Sequence, residues 1–255
     1  MLLIRSTLFN LAFYLNTTIM MIVFSVSFVM PRRPGFIIVK TWCWSCVWLL
    51  RLIAGIRMEV RGRENLPEGG FIVAAKHQSA LETFALITLL DFPTYILKRQ
   101  LNWVPLFGWY LIKFGMIPID RSKGSKAIRD MTEHAKNALA HDRQIIIFPE
   151  GTRRSPGAPP QYKVGVARLY AETGATCVPI ALDTGLYWPR RSWLRYPGTV
   201  RFEILPPIEP GMTVEACLRT IEERIETACE RLYREAARDP SPSPLATALA
   251  ARPAQ

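Results

Sequence analysis

Histidine is scarce in this chain, with three among 255 residues. His77 has no second His or Cys at ligand spacing, and no metal-binding cluster stands elsewhere in the sequence, which argues against the common zinc arrangements. Cysteine is sparse and odd in number, at five. That excludes a disulfide framework and fits a reducing, cytoplasmic setting for the soluble part. "CWSC", residues 43 to 46, has redox spacing, but its Trp-rich apolar surroundings lack the thioredoxin context. A dense Lys/Arg block, zinc-finger spacing and an RNA-binding aromatic motif are all missing, so nucleic acid is a poor partner despite a net charge of +11. Charge of either sign is absent from residues 6 to 30.

That last absence is the first positive signal. The 25 uncharged residues would span about 37 Å as a helix, against a hydrocarbon core of about 30 Å. The run exceeds a typical signal-peptide core. It reads as a retained membrane helix. A second apolar segment follows at residues 36–55, interrupted by Lys40 and Arg51 and carrying Trp42, Trp44 and Trp48. Tryptophan suits the interfacial zone. Two full spans would leave Arg32 and Arg33 outside, against the positive-inside tendency. The expectation is one span plus an interfacial helix, or a helical hairpin lying partly in one leaflet. With this anchor, the basic charge suits an anionic membrane surface or phosphorylated substrates.

After Gly55 the pattern changes. Short Val- and Ile-rich runs predict strands at 57–61, 71–75, 94–97, 116–119, 144–148, 176–182 and 199–205. Helical patterns cover 82–90, 104–113, 125–140, 165–172 and 213–237. The alternation predicts an α/β fold, a mostly parallel mixed sheet flanked by helices and preceded by the membrane-embedded helix or hairpin. The chain divides into an anchor at 1–55, a catalytic domain at 56–238 and a Pro/Ala-rich, disordered tail at 239–255.

Four positions stand out on that scaffold. His77 ends the apolar run "GFIVAAK" where a buried strand should give way to a helix, the usual site position in α/β sheets. Glu82 follows five residues later; a carboxylate on Nδ1–H would leave Nε2 free to take a proton. That step is about 140° on a helix, so His77 belongs in the turn before the helix and Glu82 in its first turns. Arg121 ends "FGMIPIDR". "IIIFPEGTRR" runs from an apolar strand into Glu150, Gly151, Thr152 and Arg153; Gly151 permits a tight turn, and Arg153 offers a fork suited to phosphate. Glu150 would repel a phosphate, so its tasks are to orient an arginine or accept from a substrate hydroxyl. "TCVPIAL", residues 176 to 182, reads alone as a buried strand.

Taken in order, "HQSALE", "GMIPIDR", "FPEGTR" and "VPI" resemble the four blocks of the glycerolipid acyltransferases typified by 1-acyl-sn-glycerol-3-phosphate acyltransferase. "VPLFGW" (104 to 109) and "YKVGVARLY" (162 to 170) fit as well, and the resemblance covers roughly residues 55 to 210. The first block departs from the family's His-x4-Asp in having Glu82, one methylene longer, so the helix start must sit further back or the side chain must fold. The resemblance implies His77 as general base for a lysophospholipid hydroxyl. It implies Arg121, Glu150, Gly151, Thr152 and Arg153 as the hold on the acceptor's phosphate and glycerol, with Lys163 a further contact. The donor would be an acyl thioester, on coenzyme A or acyl carrier protein, with no other cofactor. The thiolate leaves with little acid help, since its thiol pKa is about 8.5, so neither Ser79 nor Cys177 need form an acyl intermediate. The setting implied is the inner membrane, with the catalytic domain facing the cytoplasm. Loop 186–201 interleaves Trp188 and Trp193 with Arg190, Arg191 and Arg195, a candidate lipid-facing patch. Rival readings are O-acylation of lyso-ornithine lipid or another lysolipid, and a non-catalytic membrane scaffold.

Overall fold

The computed structural model of the chain describes residues 1–120 and 124–251. Two long apolar helices come first. Helix α1 (Leu2–Val23) runs through a 3-10 turn, Phe24–Phe28, to the corner at Pro31; α2 (Arg32–Leu49) returns and ends in a π-turn, Leu50–Ala54. Each helix with its turn is long and apolar enough to cross a bilayer. They form an antiparallel hairpin that packs along the α/β domain rather than standing clear of it. Phe9, Phe36, Cys43 and Cys46 belong to the same hydrophobic core as the sheet.

The hairpin is fastened at both ends. At its open end Asn10 donates to the Trp193 carbonyl at 3.0 Å, Arg195 Nη2 donates to Asn10 Oδ1 at 2.8 Å, and the Arg195 N–H donates to Ser6 Oγ at 2.9 Å. At its turn Lys113 Nζ donates to the Phe28 and Met30 carbonyls, and the Tyr110 hydroxyl donates to the Met21 carbonyl. Trp44 and Trp48 face outward, 50% and 60% exposed. Trp42 turns inward and donates to Thr17 Oγ1.

Seven strands form the sheet: β1 (Ile56–Arg61), β2 (Ile72–Ala75), β3 (Thr94–Lys98), β4 (Ile117–Ile119), β5 (Ile145–Ile147), β6 (Cys177–Leu182) and β7 (Gly198–Ile204). Their order is β1-β7-β6-β2-β5-β3-β4. All neighbours pair in parallel except β6 and β7. Five strands thus run one way and the β1–β7 pair the other, a mostly parallel mixed sheet. The central strand β2 is Ile-Val-Ala-Ala with every residue buried, as a strand covered on both faces requires.

The helices that follow the strands are α3 (Leu81–Leu89), α4 (Phe107–Lys113), α5 (Gly124–Leu139), α6 (Gly165–Thr173), α7 (Thr184–Tyr187) and α8 (Val214–Ala236). Most bounds fall within a residue or two of those predicted. Helix α4 starts three residues later than its pattern suggested. Pro105 interrupts it, Leu106 takes φ 62°, and the Phe107 N–H donates to the Pro105 carbonyl in a tight γ-turn.

Two expectations are corrected. The tail is not wholly disordered: α9 (Pro244–Ala250) packs on α8, with Ala246 fully buried. Ser243 caps it by accepting from the Ala246 N–H, and Pro244 supplies a preset first turn. Loop 186–201 is only partly a surface patch. Trp188 is buried, and Arg195 is buried over its ring at 4.1 Å, because this loop is where the hairpin docks. Trp193 remains half exposed, its indole N–H on Thr7.

Candidate active site

Parallel neighbours β6, β2 and β5 deliver their following loops to one edge of the sheet. Ala74 pairs with both Ile147 and Pro179. His77 and Glu150 each lie three residues past that line, so register alone sets them side by side. Thr184 follows β6 at the same edge.

His77 occupies the turn between β2 and α3, and Glu82 is the second residue of α3. Nδ1 of His77 lies 2.8 Å from Oε1 of Glu82. The same oxygen accepts the backbone N–H groups of Gln78 at 2.7 Å and Ser79 at 2.6 Å, and Oε2 accepts the Thr184 hydroxyl at 2.7 Å. Glu82 is fully buried, with its carboxylate at the positive end of a helix. Two of the donors on Oε1 are backbone N–H groups that cannot accept, so an ionised carboxylate fits and a protonated Oε1 does not. The proton of the His77–Glu82 contact therefore resides on Nδ1, and the Nε2 lone pair is free. One carboxylate thus serves the imidazole, the turn and Thr184 together.

Phe148 stacks on the imidazole at 3.9 Å between ring centres, with the planes 12° apart, and Tyr95 stacks behind Phe148. The ring is thus held on one face by packing and at Nδ1 by a carboxylate. The Arg154 N–H donates to the His77 carbonyl, tying the loop after β5 to the loop after β2.

Glu150 is placed behind the histidine rather than in front of it. It is buried, pairs with Lys76 Nζ at 2.9 Å, and accepts the His77 N–H at 3.4 Å. Lys76, 2% exposed, also pairs with Glu226 of α8 at 2.6 Å, and Glu226 accepts the Tyr162 hydroxyl. Burial pushes the Glu150 carboxyl above its ordinary range, more than Lys76 pulls it down. Burial alone would lower the Lys76 ammonium, but Glu150 and Glu226 outweigh it and hold it above its usual value. Gly151 takes φ 66° to turn the chain back, its N–H donating to the Phe148 carbonyl. The Lys163 N–H donates to the Pro149 carbonyl, while its side chain is exposed and outside the cavity lining. Arg121 lies outside the described residues.

In front of His77 opens a cavity of about 760 Å³. Its mouth holds His77, Gly151, Thr152, Arg153, Arg190 and Arg191, with Arg190 Nη1 donating to the Arg153 carbonyl. Its depth is apolar, walled by Met20, Phe24 and Val39 of the hairpin and by Ile87, Leu111 and Phe114 of the domain. A cationic mouth over an apolar shaft beside a free imidazole Nε2 suits an anionic amphiphile with a hydroxyl to be deprotonated.

Lys76, Gln78 and Thr184 were not singled out from the sequence, and Arg190 was read as part of a lipid-facing patch rather than of this site. Lys76 did carry a signal, a lone charge inside the apolar end of a buried strand. Gln78 hides as a linker: its side chain binds the Tyr233 hydroxyl and accepts the Gly185 N–H.

This fold and site define a class, the glycerolipid acyltransferases. Residues 57–183 match the family model described as Acyltransferase. The chain is 36% identical over 204 residues to a 1-acyl-sn-glycerol-3-phosphate acyltransferase of Pseudomonas aeruginosa, covering 80% of this chain and 79% of that protein. The mouse 1-acyl-sn-glycerol-3-phosphate acyltransferase alpha is 28% identical over 193 residues, covering 74% of this chain and 68% of that one. The crystal structure of the 1-acyl-sn-glycerophosphate (LPA) acyltransferase PlsC from Thermotoga maritima superposes with a TM-score of 0.76 at 26% identity, covering 91% of this chain and 98% of the other. The chain belongs to this acyltransferase family and is an O-acyltransferase.

Proposed function

We propose that this protein moves an acyl chain from an acyl thioester, on coenzyme A or acyl carrier protein, to the free sn-2 hydroxyl of 1-acyl-sn-glycerol 3-phosphate, giving phosphatidic acid. The observation that carries the reading is the oriented pair His77–Glu82 at 2.8 Å, set at the cationic mouth of an apolar cavity. In the first step His77 Nε2 takes the proton of the acceptor hydroxyl as its oxygen attacks the thioester carbonyl. Glu82 stabilises the imidazolium that results. The tetrahedral intermediate collapses, the C–S bond breaks, and the thiolate leaves, taking the proton from His77 or from water. No covalent acyl-enzyme is required. Arg153, with Arg190, Arg191 and Arg121, supplies the charge that meets the acceptor's phosphate.

The reading extends to location. The hairpin's outer face is apolar, while both its ends are fastened to the catalytic domain. A hairpin held in this way rests in one leaflet of the inner membrane, on its cytoplasmic side, and opens the cavity to lipid. The test is acyl transfer by the purified protein to labelled 1-acyl-sn-glycerol 3-phosphate, with lyso-ornithine lipid as the competing acceptor. Preference for the phosphate-bearing acceptor is expected. His77→Ala should abolish nearly all turnover while the fold persists by circular dichroism. Wild-type turnover in that variant would sink the assignment of His77 as base.

A further inference from the structure

A second cavity, of about 670 Å³, opens at the other edge of the sheet from His77. Phe92, Gly115 and Arg143 stand before β3, β4 and β5, and the hairpin's turn closes over them. Arg32, Arg33, Arg143, His134 and His141 line it, with Glu133 as the one carboxylate in the lining.

The charges there are unbalanced. Arg143 is 5% exposed and donates to four carbonyls, those of Phe92, Pro93, Phe114 and Gly115. A buried guanidinium is ordinarily paired with a carboxylate. Among the described residues no ion pair within 4.0 Å involves Arg143, Arg32 or Arg33. Arg32 and Arg143 also converge. A Cβ on Gly115 would lie 3.0 Å from Nη1 of each, so the two nitrogens are no more than about 6 Å apart, close enough to repel. Burial, helped by the Arg32 charge, pushes the Arg143 guanidinium down to about 10. Finally, Arg32 and Arg33 open α2 with no acidic residue in its first turn. Two cations at the positive end of a helix oppose the usual preference. His134 and His141 donate through Nδ1 to the Asp130 and Asn137 carbonyls, at 2.6 and 2.8 Å.

We propose that this cavity is a second anion site, which takes a phosphate group at the hairpin's turn. An anion between Arg32, Arg33 and Arg143 would relieve their repulsion and satisfy the helix terminus at once. The chemistry suits the headgroup of an anionic lipid lying against the hairpin, and equally a free phosphate ion. The site lies outside the acyl-transfer machinery, so its loss should spare the reaction itself.

The test keeps Arg143, whose bonds hold three loop ends, and changes the exposed pair. Full-length protein is released from detergent into a native mass spectrometer after equilibration with phosphatidylglycerol or phosphatidylcholine. Wild type is expected to retain one phosphatidylglycerol and no phosphatidylcholine. Arg32→Gln with Arg33→Gln should reduce the retained lipid at least tenfold. Arg168→Gln with Arg219→Gln, which removes the same charge from other exposed positions, should not. A parallel arm compares the thermal midpoint in inorganic phosphate and in chloride at equal ionic strength. Stabilisation by phosphate that depends on Arg32 and Arg33, without lipid retention, identifies the free ion as the occupant. Absence of both effects, or equal losses in the two double variants, overturns the proposal.

Discussion

Oε1 of Glu82 sits 2.8 Å from Nδ1 of His77 and accepts the backbone N–H groups of Gln78 and Ser79 as well. One atom thus fixes the tautomer of the imidazole and the shape of the turn that carries it. Glu82→Gln would set a neutral amide among these donors, unable to stabilise an imidazolium. We expect kcat to fall by about 10²–10⁴-fold, the range of a general-base contribution, with acceptor KM little changed. Steady-state kinetics in the acceptor would show the split; an unaltered kcat would make Glu82 a turn residue only.

The motif glutamate, Glu150, depends on a lysine outside its own loop. Lys76→Met leaves Glu150 buried without its cation, a situation that costs about 3–5 kcal/mol. Equilibrium denaturation should show that loss, and Lys76→Met with Glu150→Gln should recover most of it by removing the stranded charge. If the double variant is no more stable than Lys76→Met alone, the pair is not coupled as its 2.9 Å separation implies.

Asp183 precedes Thr184, the residue that holds Oε2 of Glu82. Burial pushes its carboxyl up to about 7, against the pull of the Arg201 backbone N–H and guanidinium. In the unfolded chain the same group titrates near 3.9. Between those values the folded state binds the extra proton, so this group's stability is complete below about pH 4 and is lost as pH rises through 7. The slope is at most about 1.4 kcal/mol per pH unit. Asp183→Asn should therefore gain on wild type steadily from pH 4 to 7 in thermal or urea unfolding. A stability difference constant across that range would count against the raised carboxyl.

Legibility in the sequence followed the range of the interactions. The strands were readable because β2 and β5 are short, wholly buried apolar runs, and the His77–Glu82 step placed one residue in a turn and the other in a helix start. The pairing of Glu150 with Lys76 was not legible because the two lie 74 positions apart, and no local pattern announces a charge pair formed by neighbouring parallel strands. Thr184 was invisible for the same reason: its bond to Glu82 spans 102 positions. The docking role of loop 186–201 depended on Asn10 and Ser6, polar residues on an otherwise apolar helix. The tail helix was passed over for its Pro content, although Ser243 and Pro244 form a start signal.

The hairpin should set acyl-chain preference as well as location. In the proposed mechanism the transferred carbonyl sits at His77, so the chain trailing from it enters the apolar shaft, one wall of which is Val39 of α2. Val39→Trp would shorten that shaft from the hairpin side without touching the mouth. Each methylene denied burial loses about 0.8 kcal/mol, or roughly fourfold in kcat/KM. Over a ladder of saturated acyl donors the optimum should move to shorter chains, and the longest donors should lose the most. A ladder that shifts with the acceptor's chain instead, or does not shift, would place the donor chain elsewhere.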